Sequence, residues 1–397
     1  MHARHLRRFL ASFLLLAVLV LPACGATSGG PIKIYVSLPL QNPQGESVRK
    51  GIALALNQAG ERAGEFPIVA VYRDNGNSSG QWDPAREEAN AREARDDPDV
   101  MVYLGPMDSG AAAISIPITN RGGLAQISPG NTAPGLTKVG FQAGWPGEFY
   151  PTGRRNYFRV CPTDDVQGPA AALWAGRLGY RSVYILDDGE LYGKGVADLF
   201  EEKAYDLGIE VKGRDRIDRT LSDFSALAEK VEQVRPDLVF LGGYTENGVP
   251  SVVKIIRETG MSVGIMVPDG AADSPFIEKA GQAAEGVLGT LVGAPPDKLT
   301  GDVGANFYES YKKVYGQEPE SLAQFGYDAA RVALDAIRRA GAKNRSTILD
   351  AIAATRDFAG TGGKFSFDRN GDTTLVAISG NRVTNHRFEF VSMLPPR

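Results

Sequence analysis

Tyr103-Leu104-Gly105-Pro106-Met107-Asp108-Ser109-Gly110, with Ile127-Ser128-Pro129-Gly130-Asn131-Thr132 a short way downstream, decides how this chain folds. Apolar runs of strand length, residues 100–104 and 124–127, lead into the two segments. Glycine and proline end both runs, and the first segment then feeds a helix opening at Ser109. The two loops follow neighbouring strands, so both fit at one rim of a sheet. A helix start offers free backbone N–H groups and partial positive charge. A carboxylate fits there, and the Ser109 hydroxyl adds a donor. Gly130 lets the backbone approach a ligand closely, and Thr132 supplies another hydroxyl.

Working outward, Ile32, Ile34, Val36 and Leu38 keep a period of two, a strand. Val48, Ile52, Leu56 and Ala59 recur at helical spacing. A strand at residues 67–73 and helices at 83–95 and 109–120 continue the alternation; Pro117 is expected to kink or shorten the last of these. Residues 132–156, rich in Gly, Pro and Thr, read as a long irregular connection. A second series then has strands at 157–160, 182–186, 210–212, 238–241 and 264–267, with helices at 166–178, 195–206, 224–234 and 249–259 between them. After a strand at 287–292, helices dominate 302–355, with Phe307, Tyr311 and Val314 on one stripe. Strands at 364–367, 374–378 and 387–391 end the chain, the first two joined by the turn Asp368-Arg369-Asn370-Gly371-Asp372. This βα alternation predicts an α/β chain of two doubly wound parallel-sheet lobes joined by a multi-crossover hinge. Residues 31–162 and 292–361 are assigned to lobe 1, and residues 163–291 and 362–397 to lobe 2 and the hinge. Such a pair closes about a cleft, with ligands at the carboxyl ends of the strands.

The 397 residues are 43% hydrophobic and 23% charged, ordinary for a folded soluble domain. Lys and Arg number 43 against 47 Asp and Glu, so a basic nucleic-acid face is not expected. Two cysteines in no metal-ligand spacing give neither a disulfide framework nor a metal site. Residues 1–8 carry Arg4, Arg7 and Arg8 and no acid, and residues 9–21 are almost wholly apolar. Thirteen residues are too few to span about 30 Å of hydrocarbon, so residues 1–23 read as a secretory signal. Leu21-Pro22-Ala23-Cys24 resembles the lipobox of bacterial lipoproteins, with Pro22 where a smaller residue is more usual. That resemblance implies cleavage before Cys24, a diacylglycerol on its sulfur, and residues 24–30 as a tether outside the cytoplasm.

No catalytic set stands out. A Ser–His–acid triad would need His386, which has no G-x-S-x-G near it. There is no phosphate loop, no H-E-x-x-H, and the glycine of 368–372 falls at the wrong position for a helix–loop–helix calcium site. The chain is therefore read as a binder, not an enzyme.

The paired segments quoted at the start resemble the paired motif of type I periplasmic-binding proteins, in particular the leucine/isoleucine/valine-binding proteins of ABC importers. Gln167-Gly168, Asp187-Asp188, Tyr192-Gly193-Lys194-Gly195, Gly242-Gly243-Tyr244, Pro268-Asp269-Gly270 and Glu285-Gly286 follow in the family's order. The resemblance implies that an amino acid's carboxylate is held by Ser109, Gly130 and Thr132, with Asn131 in the same loop. It implies that the ammonium meets Asp269, where branched-chain binders more often carry Glu, and that Tyr192 and Tyr244 close over the ligand. Gln41, Asn42 and Gln44 make the expected side-chain wall polar, and Asp108 stands where some members have a disulfide cysteine. The implied partners are an amino acid or small amide, an ABC permease and ATPase, and the membrane through a lipid anchor. The implied protein is a monomer with no cofactor. The same fold also serves sensors of amides, urea or other small polar solutes. Each residue has a plainer alternative: Ser109 as an N-cap, Asp269 in a turn, the two tyrosines as packing. Asp164 and Asp165, after Pro162, fit either a contact with the ligand amine or a helix start and are read as the helix start, and Cys161 as a small buried apolar residue.

Overall fold

β1 (Ile32–Leu38), β2 (Arg62–Ala63), β3 (Phe66–Asp74), β4 (Val100–Leu104), β5 (Ala125–Ser128) and β6 (Tyr157–Arg159) build the first sheet, ordered β2-β3-β1-β4-β5-β6. All pairings are parallel except that of the short β2 with β3. Apolar residues line both faces of β1 and β4 because helices cover both sides. These are features of a computed structural model that describes residues 30–221 and 223–395; the signal, Cys24 and most of the expected tether lie outside the described residues.

β7 (Ser182–Asp187), β8 (Glu210–Arg216), β9 (Leu238–Gly242), β10 (Gly264–Val267) and β11 (Leu288–Val292) form the parallel part of the second sheet. β12 (Phe358–Gly360) and β13 (Gly363–Phe365) make a separate hairpin. β14 (Ile378–Thr384) and β15 (Arg387–Leu394) add antiparallel strands, giving the order β15-β14-β11-β10-β9-β7-β8. Strand alternation sorts the faces: Val183, Ile185 and Phe240 join the core shared with the first lobe, while Tyr184, Leu186 and Leu241 join a second core. In each sheet the strand order reverses beside an early strand, at β1/β4 and at β7/β9, so both sheets are doubly wound as expected.

The chain passes between the sheets three times. It leaves β6 for helix Asp164–Arg177, which packs on helix Leu191–Asp206. It returns after β11 to helices Asp302–Tyr315 and Ala323–Ala340, which pack on helix Pro43–Gln58. It leaves again between β13 and β14. Arg159 ties two of these passages together. Its Nε donates to Asp372 Oδ1 at 2.7 Å, Nη1 donates to the carbonyls of Asn131 (3.1 Å) and Ala133 (2.8 Å), and Nη2 donates to Thr137. Both charges of the pair are buried.

Some local expectations shift. Residues 157–159 form the last strand of the first sheet rather than opening the second series. Helix Ser109–Arg121 runs on through Pro117. The strand expected at 374–378 instead runs Ile378–Thr384. Val314 is 56% exposed; the last turn of its helix packs through Tyr315 instead, whose ring meets Tyr311 and whose hydroxyl donates to the Lys50 carbonyl (2.9 Å).

Candidate functional site

The expected site residues all lie just beyond the carboxyl ends of β4, β5, β7, β9 and β10. On the first lobe the turn after β4 needs glycine at 105. Its φ is +110°, and a Cβ there would sit 2.3 Å from the Ser37 carbonyl. The turn delivers Ser109 to the first position of helix Ser109–Arg121. The Ser109 hydroxyl accepts the Ala133 N–H at 3.2 Å, so it braces the neighbouring loop rather than capping its own helix. That loop is folded by Ser128, whose Oγ accepts from the N–H groups of Gly130 (3.2 Å) and Asn131 (2.9 Å). Tyr157 donates to Asn131 Oδ1 at 2.8 Å, while Asn131 Nδ2 is buried and unpartnered. The backbone N–H groups of Ser109 and Thr132 have no acceptor among the described residues.

Thr132 differs from expectation in one respect. Its hydroxyl proton goes to Asp164 Oδ2 at 3.0 Å, and the Asp164 N–H returns to the Thr132 carbonyl at 2.9 Å. What Thr132 presents to an anion is its N–H. Asp164 does open helix Asp164–Arg177, as read from the sequence, but it is 0% exposed and its Oδ1 has no partner. Of its two readings, a contact for the ligand amine or a helix start, the sequence favours the helix start. A carboxylate in the first turn of a helix is common, and nothing local showed that β10 would bring Asp269 beside it.

On the second lobe Asp269 is 3% exposed. The Tyr192 hydroxyl donates to its Oδ1 at 2.8 Å and accepts the Gly270 N–H at 2.8 Å. The Tyr192 and Tyr244 rings lie 4.8 Å apart, tilted by 36°. Gly270 is required here, since a Cβ would come within 2.5 Å of the Tyr192 ring. Asp188 sets the Tyr244 segment by accepting the Tyr244 N–H (3.1 Å) and the Asn247 amide (2.7 Å). Gln81 of the first lobe donates to Asn247 Oδ1 at 2.9 Å and to the Glu246 carbonyl at 3.2 Å, so the lobes meet across the cleft. The expected polar wall is largely consumed by the protein itself. Asn42 caps helix Pro43–Gln58, Gln44 donates to Ser321 (3.1 Å), and Gln41 reaches Asp74 at the surface.

The electrostatics of the cleft are one-sided. Burial pushes the Asp269 carboxyl up to about 6, with the Tyr192 hydrogen bond pulling against the rise. Burial raises Asp164 well above the carboxylate range, the charge of Asp269 adds to it, and the Thr132 hydroxyl opposes it. Burial pushes Asp108 up to about 8, helped by Glu246, Glu190 and Glu87. No basic side chain pairs with Asp108, Asp164 or Asp269 among the described residues. Free N–H groups at Ser109 and Thr132, with uncompensated carboxyls contributed by both lobes, suit a small dipolar molecule. Cys161 is buried and donates to the Asn131 carbonyl at 3.5 Å, a packing role. No group of His, Cys, Asp and Glu among the described residues could hold a metal ion, and no described helix is long and apolar enough to cross a membrane.

Comparison with known proteins gives this geometry its relatives. The chain is 28% identical over 362 residues to the Leu/Ile/Val-binding protein homolog 2 of Brucella abortus, covering 89% of this chain and 91% of that one. The crystal structure of the leucine-binding protein LivK from Thermotoga maritima superposes with a TM-score of 0.82 at 30% identity, covering 92% of this chain and 99% of that one. The branched-chain amino acid transporter substrate-binding protein LivJ of Streptococcus pneumoniae, in complex with isoleucine, superposes with a TM-score of 0.79 at 25% identity, covering 92% and 100%. The two doubly wound lobes are thus those of the type I periplasmic-binding fold. Residues 32–378 match the family described as periplasmic binding protein, and the chain belongs to that family.

Proposed function

We propose that this protein captures an amino acid outside the cytoplasm and delivers it to an ABC importer, held at the membrane face by lipid on Cys24. In this reading the lobes are residues 31–162 with 292–361, and 163–291 with 362–397. The amino acid's carboxylate takes the N–H groups of Ser109 and Thr132, with Gly130 and Asn131 shaping the loop. Its ammonium takes Asp269 and the free oxygen of Asp164, and Tyr192 and Tyr244 cover it. One observation carries the reading: Asp269 is buried without a cationic partner, and its charge reaches Asp164, the acceptor of the Thr132 hydroxyl. Charge-assisted hydrogen bonds contribute roughly 1.5–3 kcal/mol each. Four or five of them, about 6–15 kcal/mol in all, are the main contribution set against the cost of immobilising the ligand. The relatives named for binding leucine, isoleucine and valine support an amino acid as ligand and binding rather than turnover.

A thermal-shift screen of the twenty amino acids and short amides tests this. A dose-dependent rise in melting temperature with at least one amino acid is expected. A rise with amides alone, or with no amino acid, would remove amino-acid capture. Intact mass of the protein from its native membrane tests the anchor: a diacylglyceryl mass on Cys24 is expected, and an unmodified Cys24 would contradict it.

A further inference from the structure

Asp108 has no task in the reading above. It precedes helix Ser109–Arg121 yet makes no side-chain cap bond to it. It is 4% exposed, and its Oδ2 is buried without a hydrogen-bond partner. It stands one residue before Ser109 on the cleft rim, and the charges of Glu246 and Glu190 from the opposite lobe and of Glu87 from its own act on it. Glu246 has Lys279 at 3.9 Å and Glu190 has Arg219 at 2.5 Å, whereas no basic side chain pairs with Asp108 among the described residues. The Tyr244 hydroxyl feels both Asp108 and Asp269. Tyr244 stacks on Tyr192, which holds Asp269. Asp108 is therefore an acidic group at the cleft rim distinct from the pair, Asp269 and Asp164, assigned to the ammonium.

An aliphatic side chain there would leave a buried carboxyl unsatisfied. A group with donors and no acceptor would satisfy it. We propose that Asp108 is a specificity-determining residue that receives an ammonium or guanidinium, so the preferred ligand is an amino acid with a basic side chain.

This proposal rests on amino-acid capture. Calorimetry of the mature protein with lysine, ornithine, arginine, leucine and alanine tests it. At least one basic amino acid is expected to bind about tenfold or more tighter than leucine. Asp108→Asn, with its fold checked by circular dichroism, is expected to erase most of that preference while leaving alanine affinity within about threefold. Leucine binding tighter than every basic amino acid in the unmodified protein would overturn the proposal and leave amino-acid capture standing. An Asp108→Asn protein with the original ranking would also overturn it. Binding of none of the five would overturn amino-acid capture itself, and this proposal with it.

Discussion

The Tyr192 hydroxyl stands between Asp269 and the backbone that follows it, donating to Asp269 Oδ1 and accepting the Gly270 N–H, both at 2.8 Å. It thereby holds the carboxylate in place and favours its charged form. Tyr192→Phe removes the donor and strands the Gly270 N–H. We expect amino-acid affinity to fall about tenfold at pH 7 and stability to fall about 1–2 kcal/mol. Calorimetry and urea melts check the two numbers; unchanged affinity would detach Tyr192 from the site.

The same carboxylate sets a pH dependence. Burial holds Asp269 at about 6. Its raised value means that protons compete with a ligand ammonium as pH falls through that range. Affinity for a neutral amino acid should be near its maximum at pH 7–8 and drop below pH 6, by up to about tenfold per pH unit. Calorimetry between pH 5 and 8 measures it, and a flat profile would mean that no ionised carboxyl of this range meets the ligand.

The two lobes also meet through a contact that uses no charged side chain. Gln81 reaches from the first lobe to Asn247 and the Glu246 carbonyl. Gln81→Ala should lower affinity about three- to tenfold by favouring the open state, since a ligand's apparent affinity scales with the closed fraction. X-ray scattering should show a larger radius of gyration without ligand and the unmodified value when saturated.

The hinge has its own electrostatic anchor. Arg159 and Asp372 are both buried, and Asp372→Ala would leave the guanidinium without a counter-charge. Breaking such a pair from one side costs about 3–5 kcal/mol. Removing the exposed Arg154–Asp350 pair should change stability by less than about 1 kcal/mol. Denaturant melts of Asp372→Ala and Asp350→Ala compare the two.

Much of this molecule was legible in its sequence, and the limits have physical reasons. Buried parallel strands such as Val100–Leu104 and Gly264–Val267 announce themselves as short apolar runs between turn residues, and both were found at their observed bounds. Which sheet a strand joins is a long-range matter. Tyr157–Arg159 follows a long loop, yet it pairs with Ala125–Ser128. The candidate site divides the same way. Its residues follow strand ends, a local pattern, so Ser109, Thr132, Tyr192, Tyr244 and Asp269 could be named from motif and order. Where a hydroxyl proton goes is not local: Thr132 gives its own to Asp164, 32 residues on. Asn42 and Gln44 looked like a ligand wall, but helix capping and Ser321 take them.

A crystal structure grown with the tightest-binding amino acid tests the central claim most directly. The account predicts the ligand carboxylate on the N–H groups of Ser109 and Thr132, and its ammonium about 3 Å from an Asp269 oxygen. A ligand seated elsewhere, or one in the cleft whose ammonium avoids Asp269, would contradict it.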